Sequence, residues 1–400
     1  MRIAFVTDSY HPTIDGVVTI VDIIRDSLVK LGHEVFIIAP DPGEKDRLEG
    51  VYYFPAIKYR AYEGYFLPIL PSNKIEVLEK INPDVIHVYG IAVMALKGYI
   101  AAYTLKKPYV LTMTTMVTDT MEFYLPIKLS PDMLKVVERL AWVYIRKILN
   151  HSSAVITHTQ PIMDELKSHG VNPKNEKIIP AGIDIGTFRP LDDPLAKRKE
   201  LGIEGKKVLM HVGRISYEKH IDDIVRALSR FDPDTVMVIV GDGPARKDVE
   251  AVVDELGLRD RVTFTGFVNR EDLPSLYNCA DVCISCSRFE TQGLSIMEAM
   301  ACRKPVVCPN ARAFSVIITD GKDGFLFDGG VDELTEAIKR ALECDDSVRQ
   351  NSMETARSYS EENCARMLID LYEEVIEAKK AKLAKKQRIL TADTAGSRSP

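Results

Sequence analysis

Two hydrophobic periods take turns along this chain. Six- and seven-residue apolar runs come first: "IAFVTD" at 3–8, "EVFIIAP" at 34–40, "VIHVYG" at 85–90, "YVLTMT" at 109–114 and "AVITHT" at 154–159. Between the first two, residues 17–31 repeat their apolar positions at helical spacing. Near-continuous apolar strands alternating with helices predict a parallel sheet buried on both faces. The second half repeats the plan, with "KVLMHVGR" at 207–214, "VMVIVGDGP" at 236–244, "VTFTGFV" at 262–268, "VCISCS" at 282–287 and "PVVCPN" at 305–310. The predicted fold is therefore α/β, two Rossmann-like doubly wound domains in tandem. In such folds ligands bind at the carboxyl ends of the strands, and those ends are expected to face a central cleft, where small-molecule sites concentrate.

Between the halves, 182–206 carries glycines, prolines and mixed charges without a sustained apolar period. That composition suits a boundary. The expected domains are 1–185 and 186–360, followed by a helix at 361–379 that ends the folded part; 331–343 also reads as helical. Residues 380–400 begin as a basic run and decay into small polar residues, so a disordered tail is expected there.

Composition narrows the function. Four hundred residues exceed one ordinary core, and 46% hydrophobic with 28% charged residues is the balance of a soluble globular protein. A net charge of −6 lacks the strongly basic footprint of a nucleic-acid binder, though a local basic patch could still meet an anionic membrane. "MRIAFVTDSYHPTIDG" enters a strand without a signal-peptide pattern, and no apolar run reaches about 18 residues. A cytoplasmic protein is expected, with peripheral contact to the inner face of the membrane as an option. Seven cysteines form no disulfide framework. Cys283 and Cys286 share a predicted strand that points them to opposite faces, and no further ligands stand at zinc spacing, so they read as core residues.

The loops carry the candidate chemistry. "DSYHPTIDGVV" lacks the G-x-G-x-x-G of a nicotinamide-dinucleotide site, which disfavours a dehydrogenase, but Gly16 lets backbone N–H groups approach an anion. In "VGRISYEKH", Arg214 and Lys219 lie where two cations could neutralise a diphosphate. "SRFETQGLSIMEAMACRKP" places Glu290 before a predicted helix start at Gly293, and Glu298 about one turn inside. The free N–H groups of Gly293, Leu294 and Ser295 and the positive end of the dipole make a seat for phosphate. Carboxylates beside a diphosphate are useful only if they hold the hydroxyl-bearing groups at its two ends, which implies a nucleotide-diphosphate sugar. Taken alone, the same residues also fit a dipole-favoured Glu290 and a solvated helical Glu298.

Glu290-x7-Glu298, together with "VGRISYEKH", "IVGDGP", "VTFTGFV", "LPSLYNCADVCIS", "IPAGIDIGTFRP" and "TDSYHPTIDGV", resembles the group 1 glycosyltransferases, the fourth sequence family of retaining enzymes with the GT-B fold. The resemblance runs through nearly the whole chain. It implies that Glu298 holds the ribose hydroxyls, Glu290 the donor sugar, and Arg214 and Lys219 the diphosphate. The backbone at Gly293 and Leu294 would assist, Gly16 would close from the other domain, and Val268 would lie near the base. It further implies retention of configuration, no metal ion, no cofactor, and a final helix packed back on the first domain. One position departs from the pattern: Thr114 stands where the family often has a histidine after "PYVLT", leaving His11 or backbone carbonyls to compensate.

Two first-domain stretches suggest the acceptor side. One is the aromatic "IKYRAYEGYFLPILP" at 57–71; the other is "DMLKVVERLAWVYIRKIL" at 132–149, with Lys135, Arg139, Arg146 and Lys147. A basic amphipathic helix can lie on an anionic membrane, and an ordinary core helix with a solvated face gives the same pattern. "ETQGL" resembles members that glycosylate diacylglycerol-type or phosphatidyl lipids. The expected partners are a sugar-nucleotide donor, UDP-glucose in type, and a lipid or glycan acceptor; GDP-mannose transfer is the alternative. An epimerase of the same fold, or a noncatalytic sugar-nucleotide binding module, would match the donor loops as well.

Overall fold

The computed structural model describes residues 1–59, 65–69, 75–116, 129–193 and 195–396. The segments 60–64 and 70–71 of the aromatic stretch, and 117–124 beyond Thr114, fall outside these. The chain divides into two compact units, one formed by Met1–His158, Met163–Ile179 and Cys364–Pro400 and the other by Thr159–Ile162 and Pro180–Asn363.

The first unit holds strands β1 (Arg2–Thr7), β2 (Glu34–Pro40) and β3 (Val51–Phe54), a small hairpin of β4 (Ala56–Lys58) and β5 (Phe66–Pro68), then β6 (Val85–Tyr89), β7 (Tyr109–Met113), β8 (Ala154–Thr157) and β9 (Glu176–Ile178). Its main sheet runs β3-β2-β1-β6-β7-β8-β9, all parallel. Helices α1 (Gly16–Lys30), α2 (Ile75–Ile81), α3 (Val93–Thr104), α4 (Pro131–Asn150) and α5 (Gln160–Ser168) connect these strands. The apolar runs become the sheet interior: Ile3, Phe5, Val85, Val110 and Val155 are all fully buried.

The second unit begins with α6 (Leu195–Glu200) and β10 (Lys207–Val212), followed by α7 (Ile221–Leu228), β11 (Thr235–Val240), α8 (Arg246–Glu255), β12 (Val262–Gly266), α9 (Leu273–Cys279) and β13 (Val282–Ile284). It is completed by α10 (Leu294–Ala301), β14 (Val306–Pro309), α11 (Phe314–Ile317), β15 (Phe325–Phe327), α12 (Val331–Leu342) and α13 (Asp346–Ser358). Its parallel sheet runs β12-β11-β10-β13-β14-β15, the Rossmann order in which direction of winding reverses between the first and fourth strands. Alternation sorts the strands onto two cores. Val208, Met210, Val238 and Cys283 pack on one face, whereas Leu209, Met237, Ile239 and Cys286 pack on the other.

Three sequence expectations change. The segment 180–185 packs with the second unit, and the supposed linker is tethered: Ile183 and Phe188 are fully buried, and the Glu361 N–H donates to the Ile183 carbonyl at 3.0 Å. The disordered tail expected from 380 is instead the continuation of α14 (Glu361–Gly396). Its Ala, Lys, Leu, Gln and Arg residues are good helix formers, and no proline interrupts the run. Finally, β3, β9 and β15 were not anticipated, because three- and four-residue edge strands are too short to display a period; α13 was not anticipated either. From Cys364 onward α14 belongs to the first unit, where the Tyr372 hydroxyl meets His87 Nδ1 at 2.5 Å and Glu374 pairs with Lys177 at 3.0 Å.

Candidate functional site

In an open α/β sheet the ligand position is the switch point, where neighbouring strands send their connections to opposite faces. The second unit has this point between β10 and β13, which pair with Leu209 opposite Val282 and Met210 opposite Cys283. The loops leaving these strands hold Arg214 to Lys219 and Glu290 to Gly293. The first is braced from behind by "GDGP": Ile215 N–H donates to Asp242 O and Ala245 N–H to Ile215 O, both at 3.0 Å. The brace requires glycine. A Cβ at Gly241, where φ is +129°, would stand 2.0 Å from the Gly213 carbonyl oxygen.

Folding joins two side chains 71 residues apart. Lys219, in the 3-10 turn Tyr217–Lys219, donates from Nζ to Glu290 Oε1 at 2.5 Å. Each side chain is under a quarter exposed, so the pair sits at the rim of the site. Burial alone would raise the Glu290 pKa, but the charge and hydrogen bond of Lys219 outweigh it and hold the carboxyl below its ordinary 4.5. Glu290 therefore stays ionised at neutral pH and can only accept hydrogen bonds.

Gly293 caps α10 in the left-handed region, with φ of +82°. Among the described residues no side chain caps this helix start. Both corresponding helix starts in the first unit are filled. Asp8, just after β1, accepts from the Ala92 and Met94 N–H groups at 2.8 Å each, at the start of α3. Burial lifts the Asp8 pKa to about 6 against the pull of those two bonds. At α1, Asp15 accepts from Val18 N–H at 2.8 Å and from the hydroxyls of Ser9 and Tyr65 at 3.0 and 2.6 Å. Gly16 is thus the first residue of a helix that already carries an anion. Leu294 and Ser295 follow Gly293 in the uncapped start, so the geometry favours phosphate in the second unit.

Glu298 lies buried inside α10, not solvated. Its Oε1 pairs with Arg270 Nη1 at 2.6 Å and its Oε2 accepts from the Tyr277 hydroxyl at 2.9 Å. Burial raises its pKa, with the Arg270 charge acting in the opposite sense. Each oxygen keeps a second lone pair for a further donor. Arg270 stacks over the Phe188 ring at 4.7 Å from its centroid. Val268 packs against the core of the same unit.

His11, expected as a substitute near the sugar, is held by Asp22: its Nε2 lies 2.7 Å from Asp22 Oδ2, and the same carboxylate accepts from the Tyr10 hydroxyl at 2.7 Å. Thr114 is buried.

Several functional candidates escaped the sequence reading. Gln292 is buried, and its Oε1 accepts from Ala181 N–H at 2.6 Å, while the Thr159 hydroxyl donates to Thr291 O at 3.1 Å. Together they pin the loop that presents Glu290. His211, next to last in β10, donates from Nδ1 to Ile284 O at 3.1 Å, and burial lowers its pKa to about 4. This fixes a neutral ring whose Nε2 is a bare acceptor. Its signal in the sequence was a lone histidine in an otherwise apolar run. Asp8, Asp15 and Arg270 carried no comparable signal.

Comparisons with known proteins agree with this architecture. The family described as Glycosyl transferases group 1 matches residues 193–359, and Glycosyltransferase Family 4 matches residues 14–187. Alpha-monoglucosyldiacylglycerol synthase of Acholeplasma laidlawii is 28% identical, over 96% of this chain and 100% of its own. A GDP-mannose-dependent alpha-mannosyltransferase of Corynebacterium glutamicum is also 28% identical, over 86% of this chain and 80% of its own. The crystal structure of Anabaena Alr3699/HepE in complex with UDP superposes with a TM-score of 0.76 at 21% identity, covering 94% of this chain and 100% of that one. The shared fold is GT-B.

Proposed function

From the premise that this chain belongs to the group 1 glycosyltransferases, we propose that it transfers a hexose, with retention and without a metal ion, from a UDP-glucose-type donor to a lipid of diacylglycerol or phosphatidyl type. The observation that carries this reading is the uncapped start of α10, bordered by the Lys219–Glu290 pair and followed one turn later by buried Glu298. The first unit is assigned the acceptor and the second the donor.

The bond that breaks joins the anomeric carbon to the β-phosphate oxygen. Negative charge grows on the leaving diphosphate, and Arg214, Lys219 and the N–H groups of Gly293, Leu294 and Ser295 are fixed donors for it. The acceptor oxygen bonds to the same face of the sugar, and its proton passes to the departing phosphate oxygen. Glu290, ionised, accepts hydrogen bonds from the sugar hydroxyls; a covalent role is not assigned to it. Glu298 accepts from the ribose, and Val268 lies beside the base. In this reading the fixed cations supply the electrostatic role that a divalent ion fills elsewhere.

The lipid preference is supported by the monoglucosyldiacylglycerol synthases among the relatives. GDP-mannose transfer is the second reading, supported by the mannosyltransferases at similar identity. Calorimetric titration with UDP and GDP in chelator, followed by turnover with UDP-glucose and diacylglycerol in the same buffer, separates the readings. Tighter binding of UDP and undiminished turnover are expected. Tighter binding of GDP selects the mannosyltransferase, and turnover that needs added metal overturns metal independence. Hydrolysis or epimerisation of the donor without any acceptor product would remove the transferase reading.

Glu298→Ala is expected to weaken UDP binding by about tenfold or more, since a charged hydrogen bond is worth roughly 1.5–3 kcal/mol. An unchanged affinity in the folded variant would mean that the ribose is held elsewhere.

A further inference from the structure

Backbone pairing between β10 and β13 ends at Met210 opposite Cys283. The next two residues in register are His211 and Ile284, and there a side chain makes the rung: His211 Nδ1 donates to the Ile284 carbonyl at 3.1 Å. Beyond it the strands turn to their outer neighbours. Gly213 N–H donates to Val240 O and Ser285 N–H to Val307 O, both at 3.0 Å. The imidazole therefore sits at the fork of the two loops that carry Lys219 and Glu290, at the switch point of the sheet.

The bond at Nδ1 decides what Nε2 can do. A carbonyl oxygen only accepts, so Nδ1 carries the proton and Nε2 of the neutral ring keeps a lone pair. His211 is 3% exposed, and Nε2 is sealed from solvent with no hydrogen-bond partner among the described residues. It lies against the start of the first loop, since a Cβ at Gly213 would stand 3.6 Å from it. Buried polar atoms are nearly always paired, so an open one beside a binding site calls for a partner that arrives with the ligand.

Two charged side chains act on this ring. Burial is the main cause of its neutrality; the Lys219 ammonium works in the same direction, while the bond to Ile284 and the Glu290 carboxylate oppose it. Of the two charged groups only Lys219 is a donor. Its ammonium has three N–H groups, one of them directed at Glu290 Oε1 at 2.5 Å.

We propose that His211 is a positioning residue that acts through Lys219: when sugar hydroxyls engage Glu290, Nε2 accepts an N–H of the Lys219 ammonium and keeps that ammonium aimed at the leaving diphosphate. This rests on the reading of Lys219 as a cation facing the diphosphate. A neutral acceptor suits the task. A second carboxylate there would offset the ammonium charge, whereas an imidazole orients it and leaves the charge for the phosphate.

Two substitutions separate the ring nitrogens. Asn can keep a donor to Ile284 where Nδ1 lay but offers nothing in place of Nε2; Gln can bring an amide oxygen there and gives up the tie. His211→Asn is expected to lower kcat about tenfold or more, the effect of a hydrogen bond to a charged group, and His211→Gln should retain more of the rate. Rates are taken per folded site, counted by calorimetric titration with the nucleotide diphosphate that the parent binds. In a Lys219→Ala background, His211→Asn should lower kcat by less than about twofold, because the group it orients is gone. A higher rate for Asn than for Gln would make the ring a strand tie and no more. Equal losses with and without Lys219 would show that it acts elsewhere; either result, or an undiminished rate in His211→Asn, overturns the proposal. If Lys219→Ala by itself leaves kcat unchanged, the cation reading fails and the proposal with it, whereas a large loss there with additive His211 losses removes the proposal alone.

Discussion

Lys219→Ala is expected to lower kcat by about 10²- to 10³-fold, the usual cost of removing one fixed donor from a developing negative charge. A conservative Lys219→Arg change should keep part of the rate, because a cation remains. Loss of the lysine also alters its partner. Glu290 lies below its ordinary 4.5 because the Lys219 ammonium overcomes the effect of burial. Without that charge the carboxyl protonates at a higher pH. The acid limb of the residual activity should therefore move upward, whereas a merely structural defect would leave its position unchanged. The sign for stability follows: the pair stabilises the parent above about pH 4.5, and this contribution fades as pH falls through the depressed pKa of Glu290. Rate and limb are both read from a pH profile of kcat in the saturating range. A full rate with an unmoved limb would show that Lys219 does not face the leaving group.

Gly293→Ala should be strongly damaging to both stability and activity. Its φ of +82° is costly for any residue with a Cβ, and the added carbon would lie 2.4 and 2.6 Å from two carbons of the Phe314 ring. Phe314 is 1% exposed and belongs to the core of the second unit, so it has little room to yield. The left-handed penalty of roughly 1–2 kcal/mol and the overpacking penalty of roughly 1–3 kcal/mol give about 3 kcal/mol together. For a unit of this size that corresponds to a fall of about 6–12 °C in Tm. Activity should fall too, because the displaced residue opens the helix start assigned to the diphosphate. A cycle with Phe314→Ala tests the cause. The double variant should lose at least about 1 kcal/mol less than the sum of the two single losses, since the ring that clashes is gone. Additive losses, or a Gly293→Ala protein as stable as the parent, would refute the clash.

Much of this protein was legible before folding was considered. Strands buried on both faces appear as unbroken apolar runs, and their alternation with helical periods dictates parallel sheets with covered faces. The order of loops along the chain then places "VGRISYEK" and "FETQG" at one sheet edge, because both follow strands near the switch point. Even Gly293 could be read as a helix start from its immediate neighbours.

Other features depended on residues far apart in the chain meeting in space. No local pattern foretells that Lys219 closes on Glu290, that Arg270 and Tyr277 bury Glu298, or that Asp22 holds His11. The same is true of Asp8, whose carboxylate caps a helix more than eighty residues away and leaves the first unit without an open seat at α3. Periodicity records which face of an element is buried, a property of neighbouring residues. Partnership, pKa and the space around a glycine are set by what the rest of the chain brings against that face, and these only the tertiary structure decided.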